Sequence, residues 1–193
     1  MTHEDEDTYI VNNATLEFLV RRLAQSRPQA LLEFGSGRST VAFAALMADL
    51  HADTRARVFS IDEDARYLEQ TRKRLEDAGL SDRVRLAHRP VCNQTVMGER
   101  TRCYDLSDEF LAEFLELPVE VIFVDGPSGG GNVRLATLPS VIDRVQRPCV
   151  VFLDDALRDD EIAVAQRWAR IPGVRLRGVH VIGAGLLEGQ LIT

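Results

Sequence analysis

The sequence has almost no lysine, and Lys73 is the only one. Its 23 basic residues are outnumbered by 30 acidic ones, which gives a formal net charge of −7. Proteins that bind nucleic acid without sequence preference need clustered lysine and arginine to neutralise the phosphates. The composition therefore argues against a nucleic-acid partner.

Cysteine is also scarce, with only Cys92, Cys103 and Cys149 present. Their odd number and irregular spacing match neither a disulfide framework nor a metal-binding motif, and they suit a reducing compartment. The sequence has no apolar run long enough to span a membrane, and residues 2–7 form an acidic tail rather than a basic and apolar signal. We therefore expect a cytoplasmic protein with no signal peptide and no membrane contact.

The length and composition predict one soluble globular domain. The chain has 193 residues, of which 45% are hydrophobic and 27% are charged, and it contains no internal repeat. Apolar residues at helical spacing in residues 13–24 predict a helix ahead of the first strand. We expect a helical segment at residues 1–28 and an α/β core at residues 29–193.

A strand, a glycine turn and a helix follow one another between residues 30 and 50. The apolar run at residues 30–34 predicts a buried strand, and Gly35 and Gly37 allow a sharp turn that a ligand can approach. Glu33 adds an acceptor at the carboxyl edge of the sheet, where open α/β folds bind ligands. A dinucleotide site would need a third glycine where Thr40 stands, and a tight turn without any ligand remains open.

Residues 33–37 resemble motif I, acidic-x-Gly-x-Gly, of the class I, Rossmann-like S-adenosylmethionine-dependent methyltransferases. The resemblance implies that the cofactor S-adenosylmethionine is held by the residues of this turn: Glu33, Gly35, Ser36, Gly37 and Ser39. It covers nearly the whole chain, from residue 30 to residue 193.

Asp62 ends the next predicted strand, residues 57–62, one strand-helix-strand unit after the glycine turn. A carboxylate at this point can accept hydrogen bonds from both ribose hydroxyls, as in dinucleotide sites and in the methyltransferases that the chain resembles. We expect Glu63 and Asp64 to serve mainly at the N-terminus of the following helix, where negative charge is favourable.

Two further segments separate this strand from the next strong signal. Residues 83–87 alternate and predict a third strand, after which many relatives have an acidic residue for adenine that is missing here. Residues 92–104 show weak periodicity and predict a loop, either a cover over the substrate or a disordered crossover. The role of residues 92–105 is left open.

Two more buried strands, residues 119–125 and 148–155, end on carboxylates. Asp125 resembles the motif IV acidic residue beside the departing methyl group, which implies both a catalytic and a cofactor-binding role. Asp154 is a second catalytic candidate, and Asp155 follows it on the opposite side of the strand. A glycine-rich stretch and a predicted helix at residues 132–145 lie between the two strands.

The carboxylates permit two ways of activating a methyl acceptor. Asp125, Asp154 and Asp155 could hold Mg²⁺, as in the catechol O-methyltransferase-like group that they resemble. The chain departs from that group because it lacks an Asn in the pair and has Gly126-Pro127 after Asp125. Alternatively, one carboxylate acts directly as the base.

The alternation of strands and helices, closed by predicted strands at residues 173–182 and 186–192, defines the expected fold. It is a doubly wound, mostly parallel seven-stranded sheet with helices on both faces and an antiparallel C-terminal strand. The resemblance implies methyl transfer to a small-molecule or sugar hydroxyl, because the Asn/Asp-Pro-Pro-Tyr/Phe motif of N-methyltransferases is absent. A non-catalytic S-adenosylmethionine-binding protein and a nicotinamide-dependent oxidoreductase are the alternatives.

Overall fold

The computed structural model describes residues 11–52 and 55–192. The predicted acidic tail at residues 2–7 lies outside the described residues. Six helices and nine strands follow in chain order: α1 (Asn13–Ser26), β1 (Ala30–Phe34), α2 (Arg38–Leu50), β2 (Arg57–Asp62), α3 (Ala65–Asp77), β3 (Val84–His88), β4 (Val91–Val96), β5 (Glu99–Tyr104), α4 (Asp108–Phe114), β6 (Val119–Val124), α5 (Thr137–Val141), β7 (Val145–Leu153), α6 (Asp159–Trp168), β8 (Val174–His180) and β9 (Leu186–Leu191).

Seven strands form one sheet in the order β3-β2-β1-β6-β7-β9-β8. From β3 to β7 in this order the five strands run parallel, whereas β9 runs antiparallel to both of its neighbours. The predicted fold class is thus confirmed. The chain order reverses direction between β1 and β6, and such a switch point is where open α/β sheets bind their ligands.

The central strands are apolar because helices cover both faces of the sheet. On one face, α1 and α2 pack Leu19 and Phe43 against Phe123 of β6. On the other face, α4, α5 and α6 contribute to a second core that contains Ile122 and Trp168. No helix within the described residues is long and apolar enough to cross a membrane.

The loop prediction for residues 92–104 is wrong, because β4 and β5 form a separate two-stranded hairpin. The chain turns at Met97 and Gly98, which both have positive φ angles. The ribbon is covered on one side, but that side includes polar residues such as Gln94 and Glu99, so its sequence lacks a clear apolar alternation. One of its few buried positions is polar Thr101, whose hydroxyl donates to the Asn132 carbonyl at 2.7 Å.

The predicted helix at residues 132–145 is also too long. Only Thr137–Val141 is α-helical, and a single 3-10 turn follows at Ile142–Arg144. Pro139 lacks the N–H that a helix beginning at residue 132 would need at this position. The preceding residues instead form turns, from which Arg134 reaches the backbone carbonyls that follow β6 and β7.

The ends of β1 and β6 meet backbone to backbone. The Phe34 carbonyl accepts hydrogen bonds from the amides of Asp125 at 2.9 Å and Gly126 at 2.7 Å. A Cβ on Gly35, whose φ is 95°, would lie 2.9 Å from the Gly126 nitrogen. Gly37 differs, because its backbone is extended with φ 170° and a Cβ there would meet nothing within 4 Å. The fold therefore requires glycine at position 35 but not at position 37.

One carboxyl group is fully buried in the core beneath this turn. Glu33 has no exposed surface, and its Oε2 accepts hydrogen bonds from the hydroxyls of Thr40 at 2.5 Å and Ser60 at 2.8 Å. Its Oε1 has no hydrogen-bond partner. Burial raises the pKa of Glu33 from 4.5 to about 7, although the hydroxyl donors oppose this shift.

The two motif glycines should respond differently to alanine. We expect Gly35→Ala to lower the free energy of unfolding by about 1–3 kcal/mol, because the added methyl both strains the backbone and meets the β6 end. Gly37→Ala is the matched control and should stay within about 0.5 kcal/mol of wild type. Urea denaturation measures both values, and equal losses would contradict the difference between the two positions.

The buried carboxyl should also make stability depend on pH. Between its unfolded pKa of 4.5 and its folded pKa of about 7, Glu33 binds more protons when the chain is folded, so the folded state loses stability as the pH rises. From pH 5 to pH 8, wild type should lose about 2–3 kcal/mol relative to Glu33→Gln. Urea denaturation across this range would contradict the raised pKa if the difference between the two proteins stayed constant.

Candidate active site

Carboxylates from four parallel strands meet at one edge of the sheet. They follow or end β1, β2, β6 and β7, whose carboxyl ends lie side by side at the switch point. Two cavities open along this edge. We call them the Asp62 cavity, of about 330 Å³, and the Arg134 cavity, of about 590 Å³, after residues in their walls.

The Asp62 cavity is organised by the carboxylate at the end of β2. Asp62 Oδ2 accepts hydrogen bonds from the Ser36 amide at 2.6 Å and the Ser36 hydroxyl at 2.9 Å, while Oδ1 accepts from the Asp64 amide at 2.7 Å. Burial raises the pKa of Asp62, and these donors oppose the rise. The carboxylate thus ties the glycine turn to the start of α3 and lies in the cavity wall.

The structure places some of the predicted cofactor residues in the wall of the Asp62 cavity and others outside it. Those that line the Asp62 cavity are Gly35, Ser36, Asp62 and Asp125. Those that do not are Glu33, Gly37 and Ser39: Glu33 is covered by the turn, Gly37 caps α2, and Ser39 is buried in the first turn of α2. Contact between these three residues and a cofactor stays a prediction.

Glu63 has a larger role than the one that its sequence position indicates. Asp64 alone caps α3 with its side chain, by accepting from the Arg66 amide. Glu63 instead accepts from the Tyr104 hydroxyl at 2.8 Å and from the Ser128 amide and hydroxyl at 2.6 and 2.7 Å. Its partners lie far away along the chain, so no local pattern in the sequence reveals this link between α3, the hairpin and the glycine-rich loop.

The Arg134 cavity surrounds a buried guanidinium group. The Arg134 side chain is 7% exposed, and its Nη2 donates to the Asp125 carbonyl at 2.6 Å. The same nitrogen lies 3.5 Å from Asp125 Oδ1 and 3.2 Å from Asp155 Oδ2. The sequence alone does not indicate whether Arg134 faces the site or the solvent, because a single arginine after a glycine-rich loop gives no sign of burial.

The second guanidinium nitrogen completes the arrangement. Arg134 Nη1 donates to the Asp154 carbonyl at 3.1 Å and lies 3.5 Å from Glu161 Oε1 of α6. Burial raises the pKa of Asp125 and of Asp154, while the charge of Arg134 lowers both. Asp154 and Asp155 both line this cavity, although they follow one another at the end of a strand.

The predicted Mg²⁺ ligands do not fit a divalent cation in this arrangement. The guanidinium of Arg134 lies against the carboxylates of Asp125 and Asp155, where the ion would have to sit. Across residues 11–52 and 55–192, no group of three or more acidic, histidine or cysteine side chains is arranged to hold a metal. In this arrangement the carboxylates of Asp125 and Asp155 contact Arg134, whereas Asp154 contacts it only through its backbone carbonyl.

The two cavities share part of their walls. Asp125 and Ser128 line both of them, whereas Asp62 faces only one and Arg134 only the other. Two molecules bound in the neighbouring cavities would thus meet at the Asp125 carboxylate. Such an arrangement suits the transfer of a group between two bound ligands.

The chain is similar to known methyltransferases over most of its length. The model of the methyltransferase domain family matches residues 32–156. No match was found among curated protein sequences.

Several solved structures share the fold. A methyltransferase from Geobacter sulfurreducens is 20% identical, with coverage of 98% of this chain and 85% of that one and a TM-score of 0.65. An O-methyltransferase of tomaymycin synthesis from Streptomyces achromogenes, solved with S-adenosylmethionine, is 15% identical, with coverage of 97% and 83% and a TM-score of 0.69. An O-methyltransferase from Bacillus cereus, solved with S-adenosylhomocysteine, is 16% identical, with coverage of 95% and 83% and a TM-score of 0.68.

These structural matches show that the chain shares their fold, and the family model confirms the predicted family. Since that model spans well over half of the residues, the chain belongs to the methyltransferase domain family.

Proposed function

We propose that the protein transfers a methyl group from S-adenosylmethionine to a hydroxyl oxygen of a small molecule or sugar. The observation that carries this proposal is the pair of adjoining cavities with Asp125 and Ser128 in their common wall. One cavity has the acceptor groups that suit a nucleoside, and the other is larger and is lined by charged and polar side chains. A methyltransferase needs both, placed so that donor and acceptor meet in line.

The Asp62 cavity supplies groups that fit the cofactor. Asp62 presents a carboxylate that can exchange its contacts with Ser36 for charge-assisted hydrogen bonds from ribose hydroxyls. The open space over Gly37 leaves room for a ligand to approach the backbone at the start of α2. When bound, S-adenosylmethionine supplies the electrophilic methyl group of its sulfonium.

The Arg134 cavity has the groups that an oxygen acceptor requires. Asp125 lies at the common wall, and burial raises the pKa of its carboxyl group, which makes it a stronger base than an exposed aspartate. It can take the proton of the acceptor hydroxyl as the new carbon–oxygen bond forms. Asp154 is buried in the wall of the same cavity, and we assign its carboxylate a supporting role beside Asp125.

The solved relatives support the choice of oxygen as the acceptor atom. Two of those with similar folds are O-methyltransferases, one solved with S-adenosylmethionine and the other with S-adenosylhomocysteine. The polar lining of the Arg134 cavity, with Ser128, Arg134 and Arg158, suits a small molecule that carries several hydroxyl groups.

Binding of S-adenosylhomocysteine provides the first test. Calorimetric titration should show binding to wild type and about 10- to 100-fold weaker binding to Asp62→Asn, because charge-assisted hydrogen bonds to the ribose are weakened. Asp82→Asn, at an exposed site outside both cavities, should bind like wild type. The proposal fails if wild type does not bind, and the role of Asp62 fails if its variant binds equally well.

Transfer itself tests the role of Asp125. With S-adenosylmethionine carrying a labelled methyl group and a panel of hydroxylated small molecules, Asp125→Asn should lose about 10²- to 10⁴-fold in rate, as expected for removal of a general base. Asp159→Asn, on the exposed first turn of α6, serves as the matched control. An unchanged rate in Asp125→Asn would contradict the assignment. Cofactor binding without transfer to any acceptor would favour the non-catalytic alternative.

A further inference from the structure

We propose that the guanidinium of Arg134 takes the place of a divalent metal at this site and holds the Asp125 carboxylate at the wall between the two cavities. The role in holding Asp125 rests on the proposed methyl transfer. The identity of the resident cation does not, because it follows from contacts and charges within the cluster.

The charge balance of the cluster requires a buried cation. Asp125, Asp155 and Glu161 each place a carboxylate oxygen within 3.5 Å of the Arg134 guanidinium. Carboxylates that leave water need an opposite charge or a proton, and like charges at such distances destabilise one another. Arg158 also contacts Asp155, at 2.8 Å, but its side chain is 57% exposed and it approaches from the rim. Arg134 is the buried cation at the centre.

The guanidinium is fixed by contacts that a metal ion would not need. Its two terminal nitrogens donate to two backbone carbonyls, those of Asp125 at 2.6 Å and Asp154 at 3.1 Å. Because these carbonyls follow neighbouring parallel strands, they hold the planar fork in one orientation. A divalent ion takes oxygen ligands at about 2.0–2.6 Å, so it could reach Asp125 and Asp155 only by displacing this fork.

The replacement changes what the site can do to an acceptor. A guanidinium contributes charge and hydrogen bonds in a fixed geometry, but it does not coordinate an acceptor oxygen and lower its pKa as a metal ion does. The proton must then leave through a carboxylate, and Asp125 is the one that faces both cavities. The acceptor consequently needs a single reactive hydroxyl and not a pair of neighbouring oxygens that chelate a metal.

Manganese provides a direct test, because the paramagnetic resonance signal of Mn²⁺ differs between the free and the protein-bound ion. Purified wild type should leave the signal of added MnCl₂ unchanged. Its affinity for S-adenosylhomocysteine should change by less than about twofold between EDTA and millimolar MgCl₂.

The stability of variants provides a second test. Arg134→Met should unfold at a lower temperature than wild type, and added manganese should raise the midpoint of its thermal unfolding. Arg134→Lys should recover part of the loss without manganese, while Arg144→Met, at a surface ion pair, serves as the matched control.

Stoichiometric binding of manganese to wild type that disappears in Asp155→Asn would overturn the proposal. So would an Arg134→Met variant as stable as the Arg144→Met control. If Arg134→Met does not fold, the wild-type manganese and EDTA measurements decide alone. Failure of wild type to bind S-adenosylhomocysteine would count against the methyl-transfer function while leaving the manganese result to judge the resident cation.

Discussion

The close approach of the Gly35 and Gly126 backbones is the constraint on which both cavities depend. Since neither residue has a side chain, the Phe34 carbonyl at the end of β1 can accept hydrogen bonds from both amides that follow β6, those of Asp125 and Gly126. The turn that follows β1 then lies beside Asp62, and the loop that follows β6 turns outward beneath Glu63. Any side chain between them would separate the two loops and open the wall that the cavities share.

Charge is the second organising factor at this edge. Parallel strands place their carboxyl ends together, and here those ends carry acidic residues, which repel one another when they leave water. Two features of the fold offset this repulsion. The fold buries Glu33 with hydroxyl donors and a raised pKa, and it places the guanidinium of Arg134 among the carboxylates around Asp125. Loss of one partner from a buried ion pair typically costs about 3–5 kcal/mol, so the same group that shapes the site also stabilises the fold.

The sequence predicted those features that arise from local patterns. Buried apolar runs, glycine turns and strand-end carboxylates define β1, β2, β6 and β7, and they place Asp62 and Asp125 at one edge of the sheet. The missed features depend on distant contacts. Glu63 meets Tyr104 and Ser128 only after folding, and the covered side of the hairpin carries polar residues, so its apolar alternation is faint. The burial of Arg134 depends on the backbone carbonyls of Asp125 and Asp154, which follow β6 and β7. No pattern around residue 134 reveals these partners.

The wall formed by Asp125 and Ser128 has a pharmacological consequence. Because both residues face both cavities, a single molecule with a nucleoside at one end and a polyhydroxylated group at the other could occupy the two spaces at once. Joining two ligands in this way means that translational and rotational freedom is lost only once, so the second half binds at a high effective concentration. The length of the tether would be set by the passage beside Asp125, which makes this short segment after β6 the natural template for a bisubstrate inhibitor.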